Sequence, residues 1–102
     1  MIGRKDSKDK APIFTFCKQF KLAIEQLALR SKLGHEKYID KDQDWNNFSR
    51  VDNPDFEYGN AEFRHALGLG DDEDELGHRV ATAWNAIAKL EIFLRNNLDN
   101  SK

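Results

Sequence analysis

Five acidic residues in succession, Asp71 to Glu75, stand directly before the most regular apolar pattern in the chain. Carboxylates in the first turn of a helix interact favourably with the helix dipole, by about 0.3–1 kcal/mol each, but one or two of them satisfy that need. Five neighbours repel one another, so either water and salt screen them or a positive group lies beside them. The run therefore predicts a helix that starts near residue 74, and it raises the hypothesis of a cation site.

A histidine follows this acidic run by three residues. If the chain is helical from Asp74 onward, His78 shares a face with Asp74 and with Asn85, which is two turns further on. A carboxylate and an imidazole on one helical face can bind a divalent cation, and the nearby Arg64-His65 pair would suit an anionic ligand on that cation. The alternative is that the acids only stabilise the first turn of the helix.

The bulk composition bounds the class of protein. With 102 residues the chain can form one domain with a modest core, and 33% charged against 39% apolar residues fit a globular protein with a charged surface. A net charge of −2 predicts no general attraction to nucleic acid or to anionic membranes. No apolar run approaches a membrane span of about 20 residues, and the basic N-terminus lacks an apolar signal core. We therefore expect a cytoplasmic protein, in which the lone Cys17 is buried as a small hydrophobic residue.

The apolar spacing predicts an all-α fold. Residues 12–98 form one domain between a flexible basic tail, residues 1–11, and a polar end, residues 99–102. A first helix should run from Ile13 to Leu33 after Pro12 and end or bend at Gly34. An irregular loop should span residues 37–53, and further helices should span residues 56–69 and 76–98. The core stripe of the last helix is predicted at Val80, Ala83, Trp84, Ile87, Leu90 and Leu94, beside a face of small or polar residues.

This pattern predicts an antiparallel helical bundle of about three main helices plus short ones. The apolar arc over residues 13–33 is wider than one helix contact can cover, so we expect the bundle to be completed by dimerisation, as a homodimer or a homotetramer.

Two carboxylates of the first helix are further candidates for cation binding. Glu25 lies in an apolar strip, where a carboxylate is costly to desolvate without a cation or hydrogen-bond donors. Pairing with Lys21 or Lys32 is the alternative. Glu36 follows Glu25 by eleven residues, close to three turns, so the two would line up if the helix continued through Gly34.

Several short motifs occur in an order and at spacings that resemble a known family. They are LGHEKY at Leu33–Tyr38, DWNNF at Asp44–Phe48, YGNAEFRHALG at Tyr58–Gly68, DDEDELGH at Asp71–His78 and ATAWNAIAKLE at Ala81–Glu91. Together they resemble the MazG-like all-α nucleoside triphosphate pyrophosphohydrolases, and among these the phage-associated dATP/dGTP diphosphohydrolase branch. The resemblance implies a metal-dependent enzyme that converts a nucleoside triphosphate to its monophosphate and pyrophosphate with Mg²⁺ or Mn²⁺.

The resemblance also implies roles for individual residues. Glu36, Asp71, Glu73 and His78 would bind the metal, with Glu25 as a further candidate. Glu36, Glu73 and His78 would be the catalytic residues. Lys37, Arg64 and His65 would meet phosphate oxygens, whereas Trp45 and Asn85 would contact the base or the sugar.

The chain also departs from the family pattern. Ala81 stands where the family usually has a second histidine, and Trp45 precedes its asparagine, Asn46, instead of following it. Two alternatives therefore stay open: a noncatalytic nucleotide- or metal-binding module of the same fold, and a small acidic protein that binds a basic partner.

Overall fold

The computed structural model describes residues 9–37, 45–70 and 73–99, and every regular element in these ranges is helical. The elements are α1 (Ile13–Gln19), α2 (Lys21–Lys37), a 3₁₀ helix (Trp45–Arg50), α3 (Pro54–Ala66) and α4 (Glu75–Asp99). Helices α2, α3 and α4 are the three main ones and pack together, so the all-α prediction is confirmed. None of the described helices is long and apolar enough to cross a bilayer.

Helices α3 and α4 form an antiparallel pair. Lys89 Nζ of α4 lies 2.6 Å from Glu62 Oε1 of α3, whereas one turn further along α3 His65 meets His78, which comes earlier in α4, so the residue numbers run in opposite directions. The turn between the helices uses Gly68 at a φ of 69°, a left-handed conformation that glycine adopts without steric cost. Asn53 directly precedes Pro54, the first residue of α3, as the Asn-Pro-Asp segment predicts.

The buried face of α4 consists of two alanines, one asparagine and one isoleucine. Ala81 (0% exposed), Ala88 (3%), Asn85 (6%) and Ile92 are the buried positions, whereas Ile87 and Leu90 of the predicted core stripe are exposed. The predicted stripe is therefore wrong as the core of a single chain. Small side chains let the axis of α3 approach closely, and the large apolar residues of α4 are left on its other faces.

Helices α1 and α2 differ from the single predicted helix. The break falls at Phe20, which has a φ of −116° and a ψ of 34°, and α2 then continues through Gly34 to Lys37. No residue of α1 or α2 is buried, and Cys17 is exposed, so its predicted burial is wrong. The reason is that the described part of the chain provides no cover for the outer side of α1.

The 3₁₀ helix anchors the segment before α3, where the sequence predicts an irregular loop. The rings of Phe48 and Tyr58 both meet the Trp84 indole edge-on, with centroids 6.2 and 6.0 Å away, and the Tyr58 hydroxyl donates to the Phe48 carbonyl at 2.7 Å. Trp84 Nε1 donates to Ser31 Oγ at 2.8 Å, which ties α4 to α2. This network fixes the 3₁₀ helix and hence Trp45 beside the end of α2. Residues 38–44, including Tyr38, lie outside the described ranges.

Candidate functional site

Two imidazoles and one carboxylate meet where α3, the segment before α4, and the first turns of α4 come together. His65 Nδ1 lies 3.0 Å from His78 Nδ1 and 3.5 Å from Glu73 Oε2, and ligating atoms of all three residues lie within 4.8 Å of one another. All three side chains are half-buried. We call these three residues the His-Glu-His cluster.

The start of α4 places Glu73 in this cluster. Asp74 caps the helix, since its Oδ1 accepts a hydrogen bond of 2.8 Å from the Gly77 N–H. Gly77 leaves room for Glu73, because an added Cβ there would lie 3.1 Å from Glu73 Cβ and 3.4 Å from Glu73 Cδ. Glu73 therefore folds back over the first turn of α4 toward His65.

Arg30 of α2 forms an ion pair with Glu73 through Nη1 and Oε1. The side chains of Arg30 and Glu73 are only 26% and 17% exposed. The other carboxylate oxygen, Glu73 Oε2, is buried and has no hydrogen-bond partner. Arg30 is a site residue that the sequence did not predict, since 43 residues separate it from Glu73 and no spacing rule links them.

The pKa of His65 is lowered below its ordinary value of 6.5. Desolvation by burial is the main cause, the charge of Glu73 opposes it, and the positive charges of Arg30, Arg64 and His78 lower the pKa further. A lowered pKa favours the neutral imidazole, which is the form that can bind a metal.

A groove of about 800 Å³ adjoins the His-Glu-His cluster, between α2, the 3₁₀ helix, α3 and α4. Its volume lies within the range of about 300–1,000 Å³ that small-molecule sites occupy. Among the lining residues are all five that the sequence predicted for substrate contact: Lys37, Trp45, Arg64, His65 and Asn85. His65 belongs to both the groove and the cluster, and Arg30 lines the groove while it pairs with Glu73 of the cluster, so groove and cluster form one continuous site.

The groove has an aromatic part and a polar part. Trp45 is 56% exposed, and its ring stacks on that of His35 with centroids 4.2 Å and planes 9° apart. Asn85 is buried beneath the groove, and its Nδ2 donates to the Ala81 carbonyl at 2.7 Å. A planar ring and a flanking anion could therefore be bound along one surface.

The structure distributes the predicted metal ligands over different places. Glu73 and His78 lie in the cluster, whereas Glu25 and Glu36 are exposed on α2 and contribute no atom to it. Asp71 lies outside the described residues. His65, predicted for phosphate contact, supplies the second imidazole of the cluster, while Ala81, at the family's second histidine position, is fully buried. The catalytic and binding roles of all these residues stay predictions.

A family model described as dATP/dGTP diphosphohydrolase, N-terminal, matches residues 2–102. Neither the curated proteins nor the solved structures contain a match to the chain.

Proposed function

The chain belongs to the family of dATP/dGTP diphosphohydrolase N-terminal domains, and on that premise we propose that it is a metal-dependent nucleotide pyrophosphohydrolase. Its substrate would be a deoxynucleoside triphosphate, and its products the monophosphate and pyrophosphate. The observation that carries the proposal is the continuity of the site. One groove combines an exposed indole with the basic groups of Arg30 and Arg64, and it opens onto the His-Glu-His cluster.

The proposed binding mode follows from the chemistry of the lining residues. Arg30, Arg64 and His65 would meet the phosphate oxygens, since guanidinium groups bind phosphate in a bidentate manner. Trp45 would stack on the base, with Asn85 below the sugar or the base edge. Lys37, at the end of α2, would add a further phosphate contact.

The proposed reaction is attack of water on the α-phosphorus. A bond forms between the water oxygen and the α-phosphorus, the bond to the bridging oxygen breaks, and pyrophosphate leaves with that oxygen. Glu73 and His78, with Glu36 of α2 as a third candidate, would accept the proton that the water loses. A bound Mg²⁺ or Mn²⁺ would offset the charge of the triphosphate and orient it.

The test is a panel of dNTPs and NTPs, with pyrophosphate detection under Mg²⁺ and under Mn²⁺. We expect pyrophosphate from at least one dNTP, and its loss in Glu73→Gln and in His78→Gln. Glu75→Gln is the matched control, because Glu75 is exposed and pairs with Arg79 on the surface of α4. Catalysis is excluded if the wild type releases no pyrophosphate from any nucleotide with either metal.

A noncatalytic nucleotide-binding module is the second candidate. It is favoured by the ion pair between Arg30 and Glu73, which engages the carboxylate proposed to act on water. In that case a dNTP with metal should raise the melting temperature without any product. The acidic-interaction alternative predicts instead that a basic partner binds, and that nucleotides leave the melting temperature unchanged.

We also propose that the chain pairs with a second copy of itself. The described residues bury only Ala81, Ala88 and Ile92 as apolar core, and no large side chain is fully buried. Exposed large apolar residues instead form a row at helical spacing along α3 and its C-cap, at Phe56, Phe63 and Leu67. A second row of exposed apolar residues runs along α4, at Ile87, Leu90 and Leu94. A standard interface buries about 800 Å² on each partner, which these rows of side chains could supply.

A further inference from the structure

We propose that His65, Glu73 and His78 form a resident site for one first-row transition-metal ion, distinct from the Mg²⁺ that accompanies a nucleoside triphosphate. This goes beyond the proposed function, because it assigns a second imidazole from α3 to the site and a different class of metal. With the ion bound, His65, Glu73 and His78 serve as its ligands, which leaves the phosphate contacts to Arg64 and Lys37 and the proton transfer to Glu36.

The distances between the ligating atoms fit such an ion. A zinc-like ion with ligands at about 2.0–2.1 Å and angles between octahedral and tetrahedral separates neighbouring ligand atoms by about 2.9–3.4 Å. The two Nδ1 atoms are 3.0 Å apart, and His65 Nδ1 is 3.5 Å from Glu73 Oε2. Ligand atoms of the cluster therefore already stand close to the separations that a bound ion would impose.

The simpler interpretation, a hydrogen bond between two histidines, does not satisfy the cluster. In such a bond one hydrogen lies between the two Nδ1 atoms, because one ring donates and the other accepts. Glu73 Oε2 then has no donor, and it is buried. A buried carboxylate oxygen without a partner is costly, whereas one divalent ion would satisfy all three ligand atoms.

Arg30 prepares Glu73 for this role. Its guanidinium holds Oε1, which leaves Oε2 turned toward His65. In metal sites the ligating side chains are regularly oriented by hydrogen bonds from residues that do not touch the metal. Arg30 is thus a positioning residue, and it also supplies the positive charge that balances Glu73 when no ion is bound.

The donor set selects the metal class. Two imidazole nitrogens and one carboxylate oxygen suit Zn²⁺, Co²⁺, Mn²⁺ or Fe²⁺, whereas Mg²⁺ prefers oxygen ligands and retains its waters. The third histidine, His35, lies apart from the cluster and stacks on Trp45, so it offers a matched control within the same chain.

The test uses the whole chain without nucleotide. Titration of the wild type with Co²⁺ should give visible absorption that saturates at one ion per chain, and excess Mg²⁺ should not reverse it. Loss of a residue that hydrogen-bonds to a metal ligand typically lowers metal affinity by about 10–100-fold, so loss of a ligand itself should lower it by at least about 100-fold. We expect that loss in His65→Gln, Glu73→Gln and His78→Gln, and unchanged affinity in His35→Gln.

A second measurement needs no variant. In the NMR spectrum of the wild type, Zn²⁺ should shift the imidazole resonances of His65 and His78 and leave those of His35 unchanged. Absence of both the Co²⁺ absorption and the shifts overturns the proposal, as does full competition by Mg²⁺. Because no nucleotide is present, this outcome is independent of the pyrophosphate assay, and either proposal can fail while the other stands.

Discussion

The guanidinium of Arg30 meets the carboxylate of Glu73 across 43 residues of sequence, and this ion pair joins α2 to the start of α4. Both side chains are half-buried, so water screens their interaction only in part. The pair is therefore both a tertiary contact of the fold and the group that orients the proposed metal ligand.

Replacement of Arg30 by methionine should destabilise the metal-free protein. Glu73 would keep its partly buried charge without a cation beside it, which costs about 1–3 kcal/mol of unfolding free energy. Urea unfolding measures this loss. Zn²⁺ should then stabilise Arg30→Met more than it stabilises the wild type, because the ion supplies the missing positive charge.

The control for this experiment is Arg79→Met, which breaks an exposed pair with Glu75. Exposed pairs contribute about 0–1 kcal/mol, so the unfolding free energy and its increase on addition of Zn²⁺ should both change little. If Zn²⁺ raises the unfolding free energy of Arg30→Met and of the wild type by equal amounts, Arg30 and the ion do not both interact with Glu73.

Replacement of Gly77 by alanine tests the space that Glu73 needs. The new Cβ would lie 3.1 Å from Glu73 Cβ, so Glu73 must shift by a few tenths of an ångström. Alanine also favours the helix over glycine by up to about 1 kcal/mol, which offsets the crowding. We expect nearly unchanged unfolding free energy together with weaker Co²⁺ binding, measured by absorption titration.

The matched control is Gly34→Ala, since nothing lies within 4 Å of an added Cβ at that position inside α2. This variant should be more stable by up to about 1 kcal/mol, with metal affinity unchanged. If Gly77→Ala binds Co²⁺ as tightly as Gly34→Ala does, the fit of Glu73 against the first turn of α4 is not what sets the affinity.

The helices could be predicted from the sequence because their signals are local. Pro54 after Asn53 marks the start of α3, and the acidic run marks the start of α4 within a residue or two. The break at Phe20 could not be predicted, because no proline or glycine marks it. Gly34, where the sequence predicts that the helix ends or bends, lies inside α2 with open space around it.

The sequence predicts the wrong buried face of α4, because in a chain this small the most hydrophobic residues of a helix are not the most buried ones. Three of the four buried positions of α4 carry short side chains, at Ala81, Asn85 and Ala88, whereas the larger Leu90 is exposed. The sequence also did not predict His65 as the second imidazole of the cluster. Sequence comparison points to position 81 on α4, but the histidine that meets His78 comes from α3, at His65.

Replacement of Trp45 by alanine should weaken nucleotide binding. Stacking of a base on an aromatic side chain contributes about 1–3 kcal/mol, so the Kd of a dNTP should rise by roughly 5- to 150-fold. The turnover rate of bound substrate should change little, because Trp45 lies on the groove wall and not in the His-Glu-His cluster. Isothermal titration and steady-state kinetics separate the two effects.

Phe93→Ala is the control for Trp45→Ala, because Phe93 is an exposed aromatic residue that does not line the groove. Its affinity for the nucleotide should equal that of the wild type. Equal affinities in both variants would place the base elsewhere than on Trp45.

Replacement of Leu90 by aspartate should convert a dimer into a monomer. Leu90 is 57% exposed in the single chain and belongs to the apolar row of α4 that we propose a second copy covers. A charge buried in an apolar interface is costly to desolvate, so the association constant should fall by several orders of magnitude. Asn96→Asp adds the same charge to an exposed polar position of the same helix and should leave the dimer intact. Light scattering at micromolar concentration measures the mass of all three proteins, and a monomeric wild type would refute the pairing.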